Sequence, residues 1–225
     1  MKDKVSDKYL AETLGFWDGL NKMQKKWVKE SLAVRHFVVG ESMRTSSENC
    51  LGLFLLISGQ VRAYIISETG KEITLYRLFE RDVCIFTASC IVKNISFDVF
   101  MEVEKETEAL LLPIDIYRKL SQESVAVQTF TNEIIGSRFT DIMWIMEQAL
   151  FTSLDKRLAM FLLEESNISG SDIITITHDK IANHLGSARE VISRLLKYLQ
   201  DEGMVSLGRG KIEIIDRKKL SELTI

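Results

Sequence analysis

Apolar positions recur at helical spacing near both ends of the chain and at strand spacing between them. Over residues 8–33, Leu20, Met23, Trp27 and Val28 fall along one side, which predicts one or two short helices. From about Phe37 to Leu112, short apolar segments are separated by Gly40, Gly52, Gly59 and Gly70. The run LFLLISGQVRAYIISETGKEITLYRLFERDV predicts three or more strands, with turns at Ser58-Gly59 and Thr69-Gly70. Several short strands at this spacing suit a sandwich or barrel.

After Pro113 the period becomes helical again. IDIYRKL reads as a short helix, and a longer one is predicted from roughly Gln122 to Phe151, about 45 Å of helix. Ile135, Phe139, Ile142, Met146 and Ala149 form a heptad seam on it. Val127, Phe130, Ile134, Met143 and Ile145 lie off that seam, and a helix apolar on more than one side needs two partners. One reading buries the whole helix in its own domain. The reading preferred here packs one side on the β domain and sets the seam against a second copy, with Ile135, Phe139, Ile142 and Met146 at the dimer interface.

The last third alternates helix and short strand. Residues 153–166 form an amphipathic helix, Ile173–Thr177 a short strand, and His178–His184 a short helix ended by Gly186. Ser187 stands three residues before Glu190, the spacing of a capping box, so a helix is predicted from just after Ser187 to Gly203. Val191, Ile192, Leu195, Leu196 and Leu199 make its apolar stripe; Arg189, Glu190, Ser193, Arg194 and Lys197 lie on the other face. Two helices joined by a tight glycine turn, the second polar at its exposed start, have the layout of a helix-turn-helix. There the second helix enters the major groove and its first residues reach base edges. Arginine matches guanine's two acceptors, and glutamate accepts from cytosine's amino group. MVSLGRGKIEII then reads as a β-hairpin wing with Arg209 and Lys211 near its tip. A solvated helix face carrying a Glu190–Arg194 pair at i,i+4 is the competing reading of these charges.

Charge refines the picture. The 225-residue chain has a formal net charge of −3, so affinity for an anionic partner must come from local patches. Between His178 and Lys219 stand nine Lys or Arg against six Asp or Glu, a local excess of three. The N-terminus lacks an apolar secretion segment and the longest apolar run, LFLLI, is too short to cross a bilayer. Three cysteines without framework spacing point to a reducing cytoplasm. No G-x-S-x-G elbow, phosphate-cradling glycine loop or His-Glu zinc helix is present, so no enzyme reading competes.

The segment LGSAREVISRLLKYLQDEGMV is similar to the recognition-helix pattern of the Crp/Fnr family of bacterial transcription regulators, with Arg189-Glu190 followed by Arg194. FLLISGQVRAYIISETGKEITLYRLFERDV resembles that family's sensor β-roll, including the Gly-Lys-Glu turn at 70–72. The resemblance covers about residues 15–220. It implies an α+β fold: a β-roll (jelly-roll) sensor over 1–120, a long dimerisation helix over 121–151 and a winged helix-turn-helix over 152–225. It implies a homodimer on a near-palindromic double-stranded DNA operator, with RNA polymerase as a further partner. It assigns Arg189, Glu190 and Arg194 to base reading, with Ser193 beside them. It assigns His178 to a phosphate contact, and Lys180, Ser187, Lys197, Arg209 and Lys211 are grouped with it.

The chain departs from the family where cyclic AMP would bind. Ile85 and Phe86 stand where a Gly-Glu pair is expected, Ser96 and Phe97 where Arg-Ser is expected, and no arginine lies between Arg81 and Arg118. A cyclic phosphate needs charge-assisted donors. Cyclic AMP is therefore not the expected effector; an apolar pocket involving Phe86, Cys90, Phe97 and Phe139 is. The four-cysteine iron–sulfur cluster of the oxygen-sensing branch also fails, because there are three cysteines and none precedes Cys50. No cofactor is evident. Alternatives left open are a regulator that needs no ligand, a thiol switch using Cys84 and Cys90, and a signalling module that mainly engages protein.

Overall fold

The computed structural model describes residues 6–43, 52–84 and 99–224. The chain packs as two compact units, one formed by residues 1–63 with 75–142, the other by residues 64–74 with 143–225.

The first unit opens with α1 (Asp7–Thr13), a single 3-10 turn (Trp17–Gly19) and α2 (Lys22–Ser31). The start of α2 is fixed by a capping box. Asn21 Oδ1 accepts from Met23 N (3.0 Å) and Gln24 N (2.9 Å), and Gln24 Oε1 accepts from Asn21 N (3.0 Å). The strands β1 (Ala33–Phe37), β2 (Gly52–Ile66), β3 (Glu72–Leu78), β4 (Val83–Cys84) and β5 (Phe100–Pro113) follow. They form one sheet in the order β1-β5-β2-β3, with β4 pairing on β2. β1 runs antiparallel to β5 from Ala33↔Leu111 to Phe37↔Thr107, and Phe54 pairs with Cys84 across β2 and β4.

Alternation on these strands builds two cores. Phe54, Leu56, Val61, Leu78, Met101 and Val103 pack together on one face. Leu53, Leu55, Leu110 and Leu112 bury with Leu10, Phe16, Trp17 and Val28 of the N-terminal helices. The charged side chains that the strands bury are paired, as a low-dielectric site demands. Arg77 Nε donates to Glu104 Oε2 at 2.8 Å, Gln60 Nε2 donates to the same oxygen at 2.8 Å, and Arg62 lies 3.5 Å from Glu102.

One expectation changes here. Ser58-Gly59 is not a turn: β2 runs unbroken through it. Gly59 sits at φ +100, where the backbone of Glu106 and Thr107 approaches so closely that a Cβ would meet Glu106 O at 2.5 Å. The glycine permits a close approach within a strand, not a reversal of the chain. The expected short and long helices appear as α3 (Ile114–Glu123) and α4 (Val125–Phe151), parted at Ser124 in extended conformation. The break lets Tyr117, Leu120 and Val127 all enter one core, and Tyr117 Oη and Thr131 Oγ1 tie the two helices at 2.6 Å.

The second unit contains α5 (Leu154–Ser169), β6 (Ile173–Ile174), α6 (His178–Leu185), α7 (Arg189–Asp201), β7 (Val205–Gly208), β8 (Lys211–Ile214) and α8 (Arg217–Glu222). β6, β8 and β7 form a three-stranded antiparallel sheet. Leu158, Leu162, Ile181, Ile192, Leu196, Leu199, Ile212 and Leu220 are buried in its core. The tip of the β2–β3 hairpin belongs to this unit. Ile73 bridges Leu185, and Thr74 Oγ1 bonds His184 Nδ1 at 2.7 Å. Among the described residues, no helix is long and apolar enough to cross a membrane.

Candidate DNA-binding surface

The site is built on α6, a glycine turn and α7. Thr177 caps α6 by accepting from Lys180 N at 3.3 Å, which places His178, Asp179 and Lys180 in its first turn. Ile181, Ala182, His184 and Leu185 bury one side. Gly186 ends the helix in the left-handed conformation, φ +69, and Ser187 N then donates to Ala182 O at 2.9 Å. Arg157 of α5 steadies the turn by donating from Nη2 to Leu185 O at 2.8 Å.

α7 begins at Arg189 with Ala188 at its cap. The expected Ser187–Glu190 capping box is not formed. The helix starts one residue later than that box requires, so Glu190 is the second helical residue and Ser187 lies outside the cap. The division of faces follows the sequence period: Ile192, Leu196 and Leu199 are buried, while Arg189, Glu190, Arg194 and Lys197 are exposed. Among the described residues Glu190 and Arg194 make no ion pair, so the i,i+4 pair of the solvated-face reading is absent.

Two contacts join α6 to the polar face of α7. His178 Nδ1 bonds Ser193 Oγ at 2.8 Å, and Asp179 Oδ2 lies 3.6 Å from Arg189 Nε. Spacing along the chain gave no sign of either, because both depend on how the two helices cross. The other expected contacts lie at the edges of this face. Lys180 is exposed in the first turn of α6, Ser187 is half-buried in the turn, and Arg209 and Lys211 are exposed at the β7–β8 hairpin, where Gly208 pairs with Lys211. Arg217 holds α8 to α5 and to the segment before β6, reaching Ser166 Oγ at 2.7 Å and Asp172 Oδ1 at 2.8 Å.

The helix expected to dimerise carries a row of exposed large apolar side chains. Phe139 is 63% exposed, Leu150 66% and Phe151 83%, with Met143, Trp144 and Met146 also exposed. Ile135 and Ile142 are half-buried. Among the expected effector residues, Phe86, Cys90 and Phe97 lie outside the described residues. Cys84 is buried, its Sγ 3.4 Å from Met101 Sδ. Nearby in the first unit, the Arg138 guanidinium stacks 4.5 Å from the Tyr76 ring centre while bonding Asp141 at 2.8 Å. Burial pushes the Tyr76 phenol well above its ordinary range. The described residues contain no group of three or more His, Cys, Asp or Glu able to hold a metal ion.

Comparison with known proteins gives one consistent picture. Residues 156–223 match the Crp-like helix-turn-helix domain. The crystal structure of a Crp/Fnr-family protein from Eubacterium rectale superposes with a TM-score of 0.90 at 48% identity, covering 93% of this chain and 97% of that one. The global nitrogen regulator of Synechococcus elongatus is 25% identical over 86% of this chain and 90% of its own length. Regulatory protein HlyX of Actinobacillus pleuropneumoniae is 29% identical over 90% of this chain and 81% of its own.

Proposed function

The chain belongs to the Crp/Fnr family of transcription regulators, and from that premise we propose that it acts as a homodimer whose α7 reads a near-palindromic operator. Residues 1–120 are its effector-sensing domain, 121–151 its dimerisation helix and 152–225 its winged helix-turn-helix. Arg189, Glu190, Ser193 and Arg194 take the base edges. His178, Lys180, Ser187, Lys197, Arg209 and Lys211 take phosphates. One observation carries this reading: α7 buries its apolar stripe yet leaves Glu190 and Arg194 exposed and unpaired within the described chain. Side chains arranged so can exchange water for base edges without first breaking an intrahelical ion pair.

Its family consists of transcription regulators rather than enzymes. A DNA-binding regulator works beside the chromosome, so the cytoplasm is its expected place and RNA polymerase its expected further partner. For the effector we propose a neutral or largely apolar molecule near Phe86, Cys90, Phe97 and Phe139. The composition of residues 85–98 supports this, since it offers no arginine for a phosphate. Cyclic AMP is expected to leave the melting temperature unchanged; a clear upward shift overturns the apolar reading.

Base reading is tested by selecting a high-affinity duplex from a random pool and titrating variants by fluorescence anisotropy. Arg189→Ala and Arg194→Ala are each expected to lose about 1–3 kcal/mol of discrimination between the operator and base-substituted duplexes. Full retention of operator preference by Arg189→Ala removes α7 from the reading role.

A further inference from the structure

The first turn of α6 meets α7 at two points spaced by one helical turn, through His178 to Ser193 and through Asp179 to Arg189. The second of these has a particular geometry. The carboxylate approaches Nε, the nitrogen inside the guanidinium group, at 3.6 Å. Asp179 is the one ion-pair partner of Arg189 within the described residues, and both side chains are about two-thirds exposed, at 64% and 63%. A carboxylate in that position leaves the two terminal nitrogens unengaged. Those are the donors that can bridge O6 and N7 of guanine. A free arginine carries a large rotamer entropy that base binding must remove, and an ion pair at Nε removes part of it beforehand.

We infer that Asp179 is a positioning residue for base reading, acting through Arg189 and touching no base itself. The inference rests on the assignment of Arg189 to a base edge. Its mark is narrow: Asp179 governs discrimination at the one base pair that Arg189 reads. A carboxylate that only sat near the DNA backbone would instead repel phosphates, weakening every sequence equally.

The test uses the full-length protein and the selected duplex, with each base pair of one half-site replaced in turn. Arg189→Ala first identifies the base pair concerned. Asp179→Ala is expected to lower discrimination at that base pair about 1.5- to fivefold, the scale of an exposed ion pair, and to leave the other positions unchanged. Asp179→Glu, which restores a carboxylate, is expected to recover it. Adding Asp179→Ala to Arg189→Ala is expected to change discrimination no further. If Asp179→Ala keeps full discrimination, or tightens all duplexes alike, Asp179 does not position Arg189. If Arg189→Ala itself keeps its preference at every base pair, the base-reading assignment fails instead, and the two failures are told apart by that first variant. Since Asp179 is exposed, melting temperatures within a degree or two of the unaltered protein check that loss of fold is not what is being read.

Discussion

Gly59 shows how one residue can be fixed by its neighbours. At φ +100 inside β2 it occupies backbone space that a side chain resists, and a Cβ there would meet Thr107 Cα at 2.6 Å and Glu106 O at 2.5 Å. Gly59→Ala must therefore shift backbone in two strands, and is expected to lose more than about 2 kcal/mol of stability in urea denaturation. Asp155 makes a gentler case in the first turn of α5. The Ser153 hydroxyl donates to its carboxylate, and the backbone N–H groups of Asp155 and Lys156 add to this. Together they outweigh the opposing burial and hold the group below the usual carboxylate range. A depressed folded-state pKa stabilises the fold above the unfolded value, and that contribution is lost as pH falls through the folded one. Asp155→Asn is expected to lower stability by about 0.3–1 kcal/mol at pH 7, with the gap to the unaltered protein closing below about pH 4. A gap that stays constant down to pH 3 contradicts the assigned hydrogen bonds.

Elements differ in how plainly the chain announces them. α7 is legible because its apolar residues keep one period from Ile192 to Leu199 and a glycine stands before it. The β7–β8 wing is legible because Gly208-Arg209-Gly210 interrupts an alternating pattern. The junction of α3 and α4 was legible to within a few residues, and the joint burial of Tyr117, Leu120 and Val127 sets it at Ser124. The setting of His184 was hidden. Its partners Thr74 and Phe161, the latter ring to ring at 5.1 Å, are remote in sequence. The Asp179–Arg189 and His178–Ser193 contacts have the same origin in helix crossing. The turn between α6 and α7 carries a prediction of its own. Gly186 is left-handed, and its position for a Cβ lies 3.4 Å from Ile73 Cδ1. Gly186→Ala is expected to lose about 1–2 kcal/mol, mostly from backbone strain, because that contact is ordinary van der Waals distance. The loss is read as an earlier urea transition, accompanied by weaker DNA binding since the turn sets the start of α7.

At the scale of the whole molecule, a chain of net charge −3 must hold a polyanion. The proposed mode of binding rests on two features: the local excess of cations between His178 and Lys219, and its duplication in a dimer. The second depends on α4. Phe139 and Met146 of the expected seam, joined by Met143 and Leu150 beside it, form an exposed apolar row at steps of 4, 3 and 4 residues. In the proposed dimer a second copy is expected to cover them and to bring two α7 helices to half-sites about 34 Å apart. Ile142→Glu places a charge beside this row, where it has no partner once the seam closes. Light scattering is expected to find the unaltered protein as a dimer at micromolar concentration and the variant as a monomer. The salt dependence of binding then reports the duplication. Each phosphate contact contributes about 0.9 to the slope of log affinity against log salt. Lys211→Ala removes one contact per chain, so in the dimer it is expected to lower the slope by about 1.8 while weakening all sequences alike. A drop of only about 0.9 would mean that one chain of the pair touches DNA through its wing, and an unchanged slope would take the wing off the phosphate backbone altogether.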